Sequence, residues 1–152
     1  MALKNPFRMV GGDAVKARMK VATKSMAAAE KRGRIKGGFH LQRQAQKRVP
    51  IDKGFLRASA VTVWPNKGGS SPKKLKGKMA SDHQREVAES KARTQLENTI
   101  EVLFTSYYAI YVHEDMEANH TVGEAKYLEK PLNAERQEIM RLIADEIRRS
   151  NR

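Results

Sequence analysis

There is no cysteine among the 152 residues. That absence excludes disulfide cross-links, thiolate nucleophiles and thiolate metal sites, and it suits a reducing compartment. Also missing is any apolar run near the length of a membrane span, and the first residues carry no signal-peptide core. A soluble protein made in the cytosol, with no membrane partner, is expected. Aromatic residues are few, at 6% with one tryptophan, and hydrophobic residues reach 39% against 31% charged. One domain with a thin core is therefore expected. Acidic residues are nearly missing from one half. Met1–Lys78 carries 20 Lys/Arg and 3 Asp/Glu, a net of +17, whereas Met79–Arg152 carries 10 and 14, a net of −4. A strongly basic half points to an anionic partner, nucleic acid first and an acidic protein surface second. Charge alone says nothing of base-specific reading.

The patterns of common enzymes are missing too. There is no G-x-S-x-G, and Gly68-Gly69-Ser70-Ser71 lacks the spacing of a phosphate-binding loop. His113-Glu114 begins like a zinc-binding HExxH, but Glu117 stands where the second histidine belongs. His120 could join Glu114 and Asp115 only through a loop folded back on itself, so a polar turn is expected there and no metal. Glu135 and Glu138, three apart, read as a solvated helix face, and His40 and His83 show no carboxylate partner. No catalytic residue, cofactor or enzymatic activity is expected.

In chain order, Met1–Gly12 reads as an arm, with Pro6 and Gly11-Gly12 against regular structure and Phe7 and Met9 free to dock on a neighbour. Asp13 suits an N-cap. Val15, Met19, Ala22, Met26 and Ala29 recur at helical spacing beside a stripe of Lys16, Lys20 and Lys24. Gly33 and Gly37-Gly38 are expected to weaken or bend this helix, which resumes through Leu41, Ala45 and Val49 and ends before Pro50. Asp52-Lys53-Gly54 makes a turn with the glycine at positive φ. Leu56–Trp64 reads as the first strand, with Leu56, Ala58, Ala60 and Thr62 on one face and Phe55, Arg57, Ser59, Val61 and Val63 on the other. Asn66–Gln95 is expected as an inserted flexible loop at a hairpin tip, within which Gly68 should tolerate substitution and a short helix could run from Ser81 to Lys91. Leu96–Phe104 reads as a strand, and Tyr107–Val112, rich in aromatic and β-branched groups, as another. From Pro131, fitted to a first helical turn, the chain is expected to be helical to about Arg148, with Arg148, Arg149 and Arg152 at its C-terminal end.

Two segments carry a resemblance. Val49–Arg57, with Pro50, Asp52, Gly54, Leu56 and Arg57, is similar to a P-x-D-x-G-x-L-R segment. Tyr108, Ala109, Tyr111, Val112, His113 and Glu114, followed by Gly123, Leu128 and Pro131, resemble a closing signature. Both, in this order, resemble the tail-completion or neck proteins of tailed bacteriophages, over roughly Val15–Ile147. The resemblance implies a structural protein of the virion: a homo-oligomeric ring of six or twelve copies joining head to tail. Its neighbours would be other neck, portal-side and tail proteins, and genomic DNA would pass through its channel. It also implies that Glu114 is a structural or interface group. In that setting Lys67, Lys73, Lys74, Lys76 and Lys78 become candidate contacts to DNA phosphates. The rival reading is a stand-alone basic nucleic-acid-binding protein without sequence specificity.

The expected fold is α+β: a long N-terminal helix and a C-terminal helix packed on one side of a small, mostly antiparallel sheet of three to four strands, with an inserted basic hairpin loop. Residues 1–12 would form the arm and 13–152 the single domain.

Overall fold

A single helix, α1, runs unbroken from Gly12 to Arg48, a length of about 55 Å at 1.5 Å per residue. The structure is a computed structural model and describes residues 12–65, 67–68 and 75–150. The expected arm therefore lies outside the described residues up to Gly11, as do Lys73, Lys74 and Arg152. Asp13 sits inside the first turn, where an acid complements the helix dipole.

The glycines of α1 do not break it. A Cβ on Gly33 would lie 2.7 Å from the Cα of Ile143, and one on Gly37 would lie 2.9 Å from Ile139 Cγ2. Both isoleucines belong to the C-terminal helix α6, Arg136–Ser150. Gly38 faces the other way, where a Cβ would meet Thr62 Cγ2 at 2.8 Å and Ile100 Cγ2 at 3.0 Å. Each helical glycine costs about 1 kcal/mol relative to alanine, and the packing that close approach permits offsets that cost. The residues expected to bend the helix are thus the ones that let two neighbours touch its backbone.

Among the described residues the sheet has three strands in the order β2-β1-β3, all antiparallel. β1 is Ala60–Trp64, β2 is Lys67–Gly68 and β3 is Glu101–Phe104. Central β1 is buried on both faces. On one, Thr62 Oγ1 donates to Gln42 Oε1 of α1 at 2.7 Å. On the other, Val61 and Val63 pack with Leu103 against Val87 of α3, Lys78–Glu97. The parity expected for Ala60 to Val63 holds. The fold is α+β with long terminal helices, layered as α6, α1, sheet and α3. Helix α6 lies chiefly along α1, because the bare backbone at Gly33 and Gly37 accepts its isoleucines.

Three expectations are corrected. Residues 78–97, most of the expected loop and the start of the expected strand, form α3, and Leu96 is 90% exposed near its end. Its buried face is His83, Val87, Ser90 and Thr94, a stripe at helical spacing made mostly of polar groups. Each polar member has its hydrogen bond: His83 Nδ1 with Thr105 Oγ1 at 2.7 Å, Ser90 to Glu101 at 2.7 Å, and Thr94 to the Lys91 carbonyl at 3.1 Å. The first strand begins only at Ala60, since Phe55–Ala58 makes one helical turn, α2, after Gly54 at φ 75°. Tyr107–Val112 is not a strand, for Ala109–Glu114 is helix α4. There Ala109 and Val112 turn inward while Ile110 and Tyr111 point out, so tertiary context overrides strand propensity.

A second core joins the end of α1 to the C-terminal region. Val49, Leu56, Ala109 and Tyr127 are buried together, with Phe104, Tyr108, Val112 and Leu128 against them. Tyr127, 1% exposed, donates from its hydroxyl to the Ala109 carbonyl at 2.8 Å and meets Phe104 edge-on at 4.9 Å. Burial pushes its phenol well above the ordinary range. A short helix α5, Glu129–Ala134, then carries Pro131, buried in its first turn, into α6.

Candidate nucleic-acid interface and motif cleft

The two motif segments, some fifty residues apart in the chain, meet in space. The Ile51 N–H donates to the Val122 carbonyl at 3.3 Å, and the Glu124 N–H donates to the Arg48 carbonyl at 2.9 Å. Arg48 also pairs with Glu124 at 3.4 Å. Between these links Gly123, at φ 91°, lies directly against Pro50. The walls enclose an open cleft of about 450 Å³, lined in part by Pro50, Asp52, Gly54, Tyr108, Val112 and His120.

The motif residues take different stations around this cleft. Leu56, Ala109 and Pro131 are buried, Val112 and Leu128 are half-buried, and Asp52, Arg57 and Tyr111 are exposed. Tyr108 is partly covered, and desolvation raises its phenol above the usual range. His113 packs edge-on to Tyr127 at 4.9 Å and bonds through Nδ1 to Glu114 Oε1 at 2.7 Å. Glu114 also accepts from Lys126, and this bond, followed by the one to His113, holds its carboxyl below the ordinary range. The Nε2 atoms of His113 and His120 are covered and have no hydrogen-bond partner among the described residues. Among the described residues no three His, Asp or Glu side chains gather as a metal would require. The arrangement holds two loops together and presents a concave polar rim.

The candidate DNA contacts divide. Lys67 is exposed on β2, Lys76 is exposed just before α3, and Lys78 is exposed at its start. None of these three forms an ion pair among the described residues. Elsewhere acids from the C-terminal half neutralise cations of the basic half. Glu146, 7% exposed, receives Arg32 at 3.3 Å, Arg149 at 3.5 Å and the Lys36 ammonium. Glu135 bonds His40 Nε2 at 2.8 Å. This gives His40 the carboxylate partner that the sequence does not reveal, 95 residues away. Sixteen residues of α1, Asp13–Ala28, are all exposed. Within them Lys16, Arg18, Lys20 and Lys24 form no ion pair among the described residues. Among the described residues, uncompensated positive charge is thus found on the outer half of α1 and around β2 and the start of α3, and also at exposed Arg43, Lys47, Lys53 and Arg57. The lysine stripe of α1 is visible in the sequence; its complete exposure is not.

No helix among the described residues is long and apolar enough to cross a membrane. Comparison with known proteins finds no matching family model, no matching curated protein and no matching solved structure.

Proposed function

We propose that this protein is a structural subunit of the virion neck in a tailed bacteriophage, one of six or twelve copies in a ring that joins head to tail and lets DNA pass. One observation carries the reading. The two segments that resemble the neck family close on each other through Gly123 and Pro50 and share one cleft. Segments that specify a common fold have reason to be coupled in this way, and chance likenesses have none. The unpaired cations around Lys67, Lys76 and Lys78 suit a surface that meets phosphates without reading bases.

The exposed basic half of α1 also favours the second reading, a stand-alone nucleic-acid-binding protein. Light scattering on the purified chain, with imaging of the particles formed, separates the two. Closed rings of six or twelve copies are expected. A monomer at all concentrations with strong, salt-sensitive DNA affinity would overturn the ring and leave the rival.

A further inference from the structure

We infer that the outer half of α1 docks on the α4 surface of a second copy of this chain, head to tail. The inference deepens the ring reading above and rests on it for its setting, since a heterologous contact that closes makes a ring.

The first surface is a helix face that no described residue covers. Val15, Met19, Ala22 and Met26 follow one another at steps of four, three and four residues, so they share a stripe. Val15 is 56% exposed and Met19 64%. The same stripe continues to Ala29 and Gly33, where Ile143 of α6 packs on it. The cover ends where Ser25 Oγ meets Ser150 Oγ at 2.6 Å, at the last turn of α6. An established helix-to-helix interface thus runs on past its partner.

The second surface lies at the far end of the molecule. Tyr107, Ile110, Tyr111 and Met116 are all exposed, and Ile110, Tyr111, Glu114 and Asp115 line a shallow depression of about 540 Å³. α4 is anchored through Ala109 to Val49, just past the end of α1. Val15 and Val49 are separated by about 50 Å of helix. The two apolar surfaces cannot meet within one chain.

Their charges are complementary. Lys16 and Arg18 flank the stripe, whereas the depression is lined by Glu114, already paired with Lys126, and by Asp115, which forms no ion pair among the described residues, with Glu117 two residues further along the chain. Glu117 makes no ion pair among the described residues, so it is available to an incoming lysine. Tyrosine rings and methionines suit both the aliphatic stems and the cationic heads of such a helix. Two α1 stripes facing each other would instead oppose Lys16 and Arg18 to like charges at the flanking positions, which disfavours a symmetric pair.

Because the chain has no cysteine, a cross-link can be placed without background. Full-length Met19→Cys and Tyr111→Cys variants are mixed and mildly oxidised. A mixed disulfide dimer in excess over either homodimer is expected. Sedimentation of K16E/R18E should show self-association weakened on the order of tenfold, with partial recovery when this variant is mixed with E117K. All of these side chains are exposed in the single chain, so the variants fold normally. Met19→Cys homodimers alone would overturn the contact in favour of paired stems. Rings without the mixed cross-link overturn the contact and leave the ring reading intact, and a chain monomeric at every concentration overturns both.

Discussion

A methyl group on Gly123 would sit 2.4 Å from the backbone nitrogen of Pro50. The glycine also holds φ at 91°, so a side chain there is excluded twice, by conformation and by contact. Gly123→Ala should destabilise by about 2 kcal/mol or more. Gly77, at φ 56° with open space around it, supplies the control: Gly77→Ala should cost only the conformational part, about 1–3 kcal/mol, so Gly123→Ala should exceed it by the clash with Pro50. Equal melting shifts in the two variants would remove Pro50 from the account.

At the α1–α6 contact, Gly33→Leu should push the helices apart and cost about 1–3 kcal/mol by overpacking. Gly12→Ala, where nothing lies within 4 Å, should be neutral or slightly stabilising. Denaturant midpoints measure both. A Gly33→Leu protein as stable as the parent would show that α6 does not seat on that backbone.

These glycines mark the boundary of what the sequence disclosed. The terminal helices, the turn at Gly54, the parity of β1 and the basic half were readable because each rests on local spacing or composition. Helix α3 was legible only as a short piece, Ser81–Lys91, because its buried face is His83, Ser90 and Thr94 around a single valine, and satisfied polar burial leaves little apolar period to read. At Tyr107–Val112 the residues favour a strand, but β3 ends at Phe104 and the chain turns to lay Ala109 on Val49. Gly68 belongs to β2 at φ 107°, and a Cβ there would lie 2.7 Å from the Cα of Val63. It is therefore not the indifferent loop residue its surroundings suggest. The motif cleft joins Pro50 to Gly123, far apart in the chain, and only the likeness of its two halves to one family linked them beforehand.

Tyr127→Phe tests the second core. It removes only the hydroxyl that reaches the Ala109 carbonyl, so the loss should be about 1 kcal/mol, small beside the roughly 3–5 kcal/mol expected for a truncation to alanine. In an alkaline titration followed by ultraviolet absorbance, one tyrosine should resist ionisation until the protein unfolds, and Tyr127→Phe should abolish that delayed fraction.

Acid stability should report on Glu146. The bond from Lys36, followed by that from Arg32, holds its carboxyl below the ordinary range despite an opposing desolvation. A depressed folded-state pKa contributes stability that is fully present above the unfolded value and lost as the pH falls through the folded one. The melting temperature should therefore drop as the pH is taken below about 4.5. Glu146→Gln should melt lower at neutral pH and show a shallower acid slope. An unchanged slope would place the acid transition on other carboxylates.

Replacing Lys67, Lys73, Lys74, Lys76 and Lys78 together by glutamine should leave the melting temperature nearly unchanged. The log–log salt slope of DNA binding should fall by up to roughly 0.9 for each lysine that no longer meets a phosphate. A wild-type slope in this variant would transfer the phosphate-binding role to other cations, with Lys20 and Lys24, on the side of α1 away from its apolar stripe, the next to replace.

Helix α1 is gripped along one half and bare along the other, which in mechanical terms makes it a cantilever. From the clamp at Ser25 the free end extends about 20 Å to Gly12. A tilt of about ten degrees at the clamp carries the tip through about 3 Å, while Gly33 and Gly37 scarcely move against their isoleucines. Whatever holds the tip therefore acts with leverage on the α6 seat, and a force applied there reaches the sheet through Gly38. The serine contact is the fulcrum, and the glycines that admit close packing are the seat that takes the load behind it.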